Sequence, residues 1–83
     1  MKTFKLIISA AESLVCNGQA VYCSLSTEKG SLGIEAGHEA FLGVLKENSQ
    51  LRFRDEKGTE TTVLVETGIV WFRDNECLLT VSI

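Results

Sequence analysis

The only histidine of the chain, His38, stands in the stretch GSLGIEAGHEAFL, behind Gly30, Gly33 and Gly37. An imidazole could act as a general base or a metal ligand. A base needs a nucleophile or an orienting carboxylate beside it. Glu35 and Glu39 are near in sequence, but both fall in a turn facing water. A metal site needs more ligands, and there is no second histidine. The expectation is a turn histidine that bonds the local backbone or lies at an interface. The three glycines could suggest a phosphate cradle, yet neither GxGxxG nor GxxxxGK[ST] occurs. They are expected to supply positive φ or close strand approach. Asp55, Glu56, Asp74 and Glu76 form acidic pairs in turns. Carboxylates at unburied turn tips make poor acids. The three cysteines, Cys16, Cys23 and Cys77, are odd in number and contain no CxxC pair. Reduced thiols filling apolar space in a cytosolic protein are expected, with neither a disulfide framework nor a zinc site. No catalytic, cofactor-binding or metal-binding residue is assigned.

The elements that must position these residues have a period of two. Phe4, Leu6 and Ile8 alternate with Lys5 and Ile7, which predicts a strand. Asn17-Gly18 predicts a tight hairpin turn. Beyond it Val21, Cys23 and Leu25 share one face of a second strand, and Tyr22, Ser24 and Ser26 the other. TEKGS and EAGHEA read as turns, SLGI and FLGVL as short strands, and KENS as a connection. LRFR and TETTVLVE flank DEKG, the clearest hairpin signal, with Arg52 and Arg54 left in solvent. Gly68 is expected to break the next run before IVWFR, and DNE turns the chain into CLLTVSI. The one helical candidate, HEAFLGVLKEN, is weakened by Gly43, which costs about 1 kcal/mol relative to alanine. Eight to ten short strands with turns every 8–12 residues predict an all-β fold, a two-sheet sandwich or barrel.

The 83 residues, 45% of them apolar and 23% charged, suffice for one domain, taken here as 1–83. A domain of this size buries about 60% of the surface its unfolded chain exposes, so the core is thin. Net charge is −3. The scattered lysines and arginines make no basic footprint, which argues against nucleic acid. No apolar run is long enough to span a membrane. The N-terminal MKTFKLIIS lacks the apolar block and cleavage site of a signal peptide. The complete absence of proline leaves every turn to glycine, asparagine and aspartate. Of the large aromatics Trp71, Phe72, Phe53, Phe41 and Tyr22, most are expected in the core. Trp71 and Phe72, adjacent on one strand, point to opposite faces. Either one outer surface is apolar and covered by a partner, or both faces are buried at a twisted corner.

The run GSLGIEAGHEAFLGVL resembles the Gly-x-Leu-Gly-Ile, x-Pro-Gly-His, x-Pro-Leu-Leu run of the ε subunit of F-type ATP synthases. FKLIIS resembles that family's first strand, Gly18 with AVYCSLST its second hairpin, LRFRDEKGTETTVLV its arginine-bearing strand and hairpin, and TGIVWFRDNECLLTVSI its closing strands. The similarity covers nearly the whole chain. It implies a β-sandwich and a non-catalytic central-stalk role. Such a rotor subunit would couple ion flow through the c ring to ATP synthesis or hydrolysis, peripheral to the cytoplasmic face of a bacterial inner membrane. The family's C-terminal helical pair, which carries inhibition and in some members ATP binding, lies beyond the matched part. Either an excised domain or a naturally short member is expected, without those two functions.

The resemblance also implies partners and surfaces. The partners are the γ subunit and the c ring, with no small-molecule substrate, no cofactor, no nucleic acid and no direct membrane insertion. The γ-facing surface would include Ala10, His38, Phe41, Leu42 and Gly43. The ring-facing turn would be Glu28, Lys29, Gly30, Ser31 and Leu32. The family usually has an acidic residue where Ser31 stands, and Glu28 is the carboxylate that could substitute. Ala36 and Ala40 replace the two prolines of the family run. Each loss of a proline of this kind frees the unfolded chain by about 0.4–1 kcal/mol, so a looser corner that tightens on γ is expected. The rival readings are a stand-alone β-sandwich interaction module derived from the same fold, and an enzyme or metal site centred on His38.

Overall fold

The computed structural model describes residues 2–83, and among them there are eight strands and no helix. The strands are β1 (Phe4–Ala10), β2 (Ser13–Thr27), β3 (Gly30–Ile34), β4 (Phe41–Val44), β5 (Ser49–Asp55), β6 (Glu60–Val65), β7 (Thr67–Arg73) and β8 (Glu76–Ser82). The hydrogen-bonded order is β4-β7-β8-β1-β2-β5-β6, with β3 also on β2. All pairs are antiparallel except β1 with β8.

This path folds on itself at β2. Residues 13–20 of β2 pair with β1, whereas residues 20–27 pair with β5 and β3. An irregularity between Ala20 and Tyr22 marks the change of partner, as bulges do where a strand bends between sheets. One layer is thus β4-β7-β8-β1 with the start of β2, and the other is the end of β2 with β3, β5 and β6. The shortest dimension of the molecule is 18 Å, which suits two sheets about 10 Å apart plus outer side chains.

The alternation sends one face of each strand into a shared core. Phe4, Leu6 and Ile8 of β1, Val70 and Phe72 of β7, and Cys77, Leu79 and Val81 of β8 meet Cys23, Leu25, Ile34, Leu51, Phe53 and Val65 of the other layer. No polar or charged residue among those described is buried. Cys23 and Cys77 are buried and Cys16 half-buried, all three as free thiols. Burial pushes the Cys23 and Cys77 thiols up to about 12, because a buried thiolate loses its hydration.

Three local expectations are corrected. Asn17-Gly18 makes no turn. Both lie inside β2, opposite Ile7 and Leu6, and neither has positive φ. The β1–β2 reversal occurs at Ala11-Glu12 instead. The same β2 irregularity puts Ala20 in the core and leaves Val21 half-buried, so Val21 does not share the inward face of Cys23 and Leu25. Finally, Gly68 does not break the run. The chain turns at Glu66, and Gly68 sits within β7. A Cβ on Gly68 would stand 2.8 Å from Leu45 Cδ1 and 3.0 Å from the Thr80 carbonyl oxygen. Gly68 is therefore a site of close approach. The remaining turns hold. DNE is a two-residue reversal with Asp74 at φ 50° and Asn75 at φ 59°, the geometry that matches strand twist in a hairpin. In DEKG, the Asp55 carboxylate accepts from the Lys57 and Thr59 amides at 2.9 Å each, and Glu60 lies 3.4 and 3.6 Å from Arg52 and Arg54.

Two outcomes follow. Gly68→Ala overpacks β7 against a backbone oxygen and should destabilise the protein by about 1–3 kcal/mol in urea unfolding. The thiol contribution to stability should be constant up to about pH 9, the ordinary thiol value. It should fall between there and about pH 12, because above pH 9 the unfolded chain releases thiol protons that the folded chain retains. Urea midpoints measured across that interval check it, with Cys23→Ala/Cys77→Ala expected to flatten the decline.

Candidate functional site

The predicted surfaces converge on one groove. Its lining includes Glu28, Lys29 and Leu32 from the β2–β3 hairpin on one side and His38, Phe41, Leu42 and Gly43 on the other. The groove encloses about 620 Å³ and is mainly apolar. Its two walls are joined at one end. The Glu28 amide donates to the Val44 carbonyl at 3.3 Å, the Lys46 amide donates to Ser26 at 2.9 Å, and Thr27 faces Leu45. Beyond Glu28 the hairpin turns away and the walls separate. The Thr27 hydroxyl sets that turn, accepting from the Lys29 amide and donating to the Gly30 carbonyl at 3.1 Å each.

Three predicted residues lie outside the groove. Gly30 and Ser31 border the neighbouring side of the hairpin with Lys46. Ala10 lies apart, on β1, three strand spacings or about 14 Å across the sheet from β4.

The His38 corner is built by backbone and aromatic contacts. Gly37 takes φ 81°, a conformation that side-chain-bearing residues avoid. The His38 amide closes the turn on the Glu35 carbonyl at 3.1 Å. His38 Nδ1 lies 2.8 Å from the Glu39 carbonyl oxygen. A carbonyl only accepts, so Nδ1 carries the proton. The imidazole meets Phe41 and Phe72 edge-on, at centroid distances of 5.1 and 5.6 Å, and the two phenylalanines stack 6.5 Å apart. Among the described residues no carboxylate or hydroxyl partners the His38 ring, and its contacts are those of a structural turn residue. Among the described residues, no three His, Cys, Asp or Glu side chains gather as metal ligands would. Gly33, with ordinary φ, is the close approach expected of one of these glycines: a Cβ there would lie 2.9 Å from the Tyr22 hydroxyl.

Asn75 was not legible in the sequence as part of this corner. Its side-chain oxygen accepts from the Gly37 amide at 2.9 Å, and its side-chain nitrogen donates to the Thr3 carbonyl at 2.9 Å. Its own carbonyl accepts from the Lys5 amide at 3.1 Å. One residue of the β7–β8 turn thus ties the corner to the start of β1. The DNE signal marked a turn, but bonds spanning 38 and 72 positions have no sequence signature.

The outer face beside the groove is also apolar. Leu42 pairs with Trp71, Trp71 with Leu78 and Leu78 with Ile7, one row across four strands. In the next row Val44 pairs with Ile69. Leu42 is 70% exposed and Trp71 43%. Trp71 is therefore no buried corner residue, and of the two alternatives for this strand the apolar outer surface is the one found. Arg73, paired with Glu76, holds its guanidinium 5.3 Å from the Trp71 ring. Of the six large aromatics, Phe4, Phe53 and Phe72 are core, Phe41 and Tyr22 are half-buried and Trp71 is exposed.

Fold and site together define a small β-sandwich with an apolar groove at one corner. The model of the ATP synthase delta/epsilon chain β-sandwich domain matches residues 3–82, and the chain belongs to that family. It is 32% identical over 74 residues to the ATP synthase epsilon chain of Streptomyces avermitilis, covering 89% of this chain and 59% of the relative. To the epsilon chain of Streptomyces coelicolor it is 33% identical over 70 residues, covering 84% and 56%. The chain thus spans under three fifths of the length of these curated relatives. A chain of the Euglena gracilis mitochondrial ATP synthase superposes with a TM-score of 0.87 at 17% identity, covering 95% of this chain and 50% of that one. A chain of the Tetrahymena thermophila mitochondrial ATP synthase central stalk and c ring gives 0.82 at 22%, covering 99% and 65%. At these identities the superpositions speak for the fold.

Asn75→Gly keeps the left-handed backbone but removes both side-chain bonds. It should lower stability by about 1–2 kcal/mol and raise hydrogen exchange at the Gly37 amide, read by NMR, with the β5–β6 hairpin unchanged.

Proposed function

We propose that the chain is a non-catalytic rotor subunit of an F-type ATP synthase. It docks on the γ subunit and the c ring, and so couples ion translocation to ATP synthesis or hydrolysis elsewhere in the assembly. Its place would be peripheral, at the cytoplasmic face of a bacterial inner membrane. The observation that carries this reading is the shared groove. The turn expected to face the ring and the corner expected to face γ are its two walls, hydrogen-bonded at the Glu28–Val44 end. Force applied at the hairpin therefore reaches the corner through backbone bonds.

The γ-facing surface we infer differs in outline from the one the resemblance implies. His38, Phe41, Leu42 and Gly43 remain together, and the Leu42–Trp71–Leu78–Ile7 row extends them. An apolar row of this kind, with Arg73 and Glu76 at its border, has the make-up of an interface core with a charged rim. The reading as a stand-alone interaction module is favoured by Ser31, Ala36 and Ala40, which depart from the family run. Recovery of the chain from native membranes with no ATP synthase subunit would decide for it.

Leu42→Asp places a charge on a side chain that is already exposed, so the fold is retained. Burying a leucine of this size contributes about 1.5–3 kcal/mol, so calorimetric affinity for the γ subunit should fall at least tenfold, with Trp71→Ala losing a similar amount. Unchanged affinity in both variants, with unfolding midpoints intact, would remove this surface from the interface.

A further inference from the structure

We infer that the groove beside β4 is a strand-addition site. It takes an extended polypeptide segment, apolar at alternate positions and basic between them, as an additional strand on the open edge of β4. This rests on the reading of the corner as a docking surface and states how the docking is made.

β4 is the last strand of its layer. Its bonds to β7 fall to the odd-numbered residues, because the Leu45 amide donates to the Gly68 carbonyl at 2.9 Å in the register that pairs Gly43 with Val70. The even-numbered residues therefore direct their backbone groups away from β7. At Val44 that edge is taken, since its carbonyl accepts from Glu28. The same register continued by one step would bond Leu42 to Gly30. The hairpin has already turned at Glu28 and Lys29, so this bond is not made. Leu42 keeps an N–H and a C=O facing the groove, and the exposed Ala40 stands two residues earlier in the same phase. The groove is thus the continuation of a ladder that the hairpin abandons.

Side chains and charge select the guest. Leu32, Phe41 and Gly43 offer an apolar floor, while the charged lining residues are Glu28, Glu39 and Lys29, carboxylates in excess. Backbone bonds supply affinity in strand addition, and alternate side chains supply specificity. Native edges are commonly blunted by proline or charge. Here the chain has no proline, and the exposed edge residues are Ala40 and Leu42.

The experiment measures hydrogen exchange at the Ala40 and Leu42 amides of the 15N-labelled chain. It is read alone, with an ATP synthase γ subunit, and with a blocked eight-residue peptide alternating valine and lysine. Exchange at Leu42 slowed at least tenfold by either probe supports strand addition. Ala40→Pro, which removes one donor, should weaken peptide binding about three- to tenfold. The same peptide with alternate backbone nitrogens methylated should not bind, a control that leaves the protein unaltered. If γ binds while both amides exchange at their free rates with either probe, strand addition is overturned and the rotor reading stands. If γ does not bind, the rotor reading falls and the peptide alone decides the edge. Shifts confined to Trp71 and Leu78, with Leu42 protected neither by γ nor by millimolar peptide, overturn the inference.

Discussion

The structure depends on one strand serving two layers. β2 runs for 15 residues, pairing with β1 by its first half and with β5 and β3 by its second. A small domain has little core to spare, and closing two sheets through a shared strand avoids a separate crossover on that side. The Ala20–Tyr22 irregularity allows the bend. It resets the alternation, so that Ala20 and Cys23 both face inward although three positions apart. From that bend follows the placement of the β2–β3 hairpin against β4, and with it the groove.

The alternating patterns of LRFR, CLLTVSI and FKLIIS were read correctly because one wet face and one buried face leave a period-two signature. The short strands at Gly30–Ile34 and Phe41–Val44 were legible for the same reason, and Gly43 told against a helix there. Asn17-Gly18 misled because turn propensity is local, whereas that dipeptide pairs with β1 along a strand held by long-range bonds. Gly68 misled in a related way. A glycine in a strand can mark a break or a close approach, and only the positions of Leu45 and Thr80 decide which.

The candidate site was legible in part. Glu28, Lys29, Leu32, His38, Phe41, Leu42 and Gly43 do come together, although they were assigned to two separate surfaces. What the sequence could not reveal was the bond between those surfaces, since Thr27 and Leu45 face each other only when the two layers close. Ala10 was carried to the corner by resemblance alone, and the strand order sets it on the far side of the sheet. Asn75 was missed because its role lies in side-chain bonds to distant backbone.

The two outer faces differ in chemistry, and the difference bears on how the molecule can work. Tyr22, Ser24, Arg52 and Gln50 give one layer a largely polar exterior, with Leu64 exposed opposite Gln50. The other layer exposes Leu42, Val44, Ile69 and Trp71, a row whose hydration is unfavourable unless something covers it. A sandwich with a wholly apolar interior gains rigidity from its ladders and little from buried charge. The asymmetry therefore costs the fold nothing internally and directs contact to one side. The groove lies at the edge of that side, where apolar surface and open backbone groups meet. A partner covering the row would also reach the β4 edge and, through Glu28 and Val44, the hairpin tip.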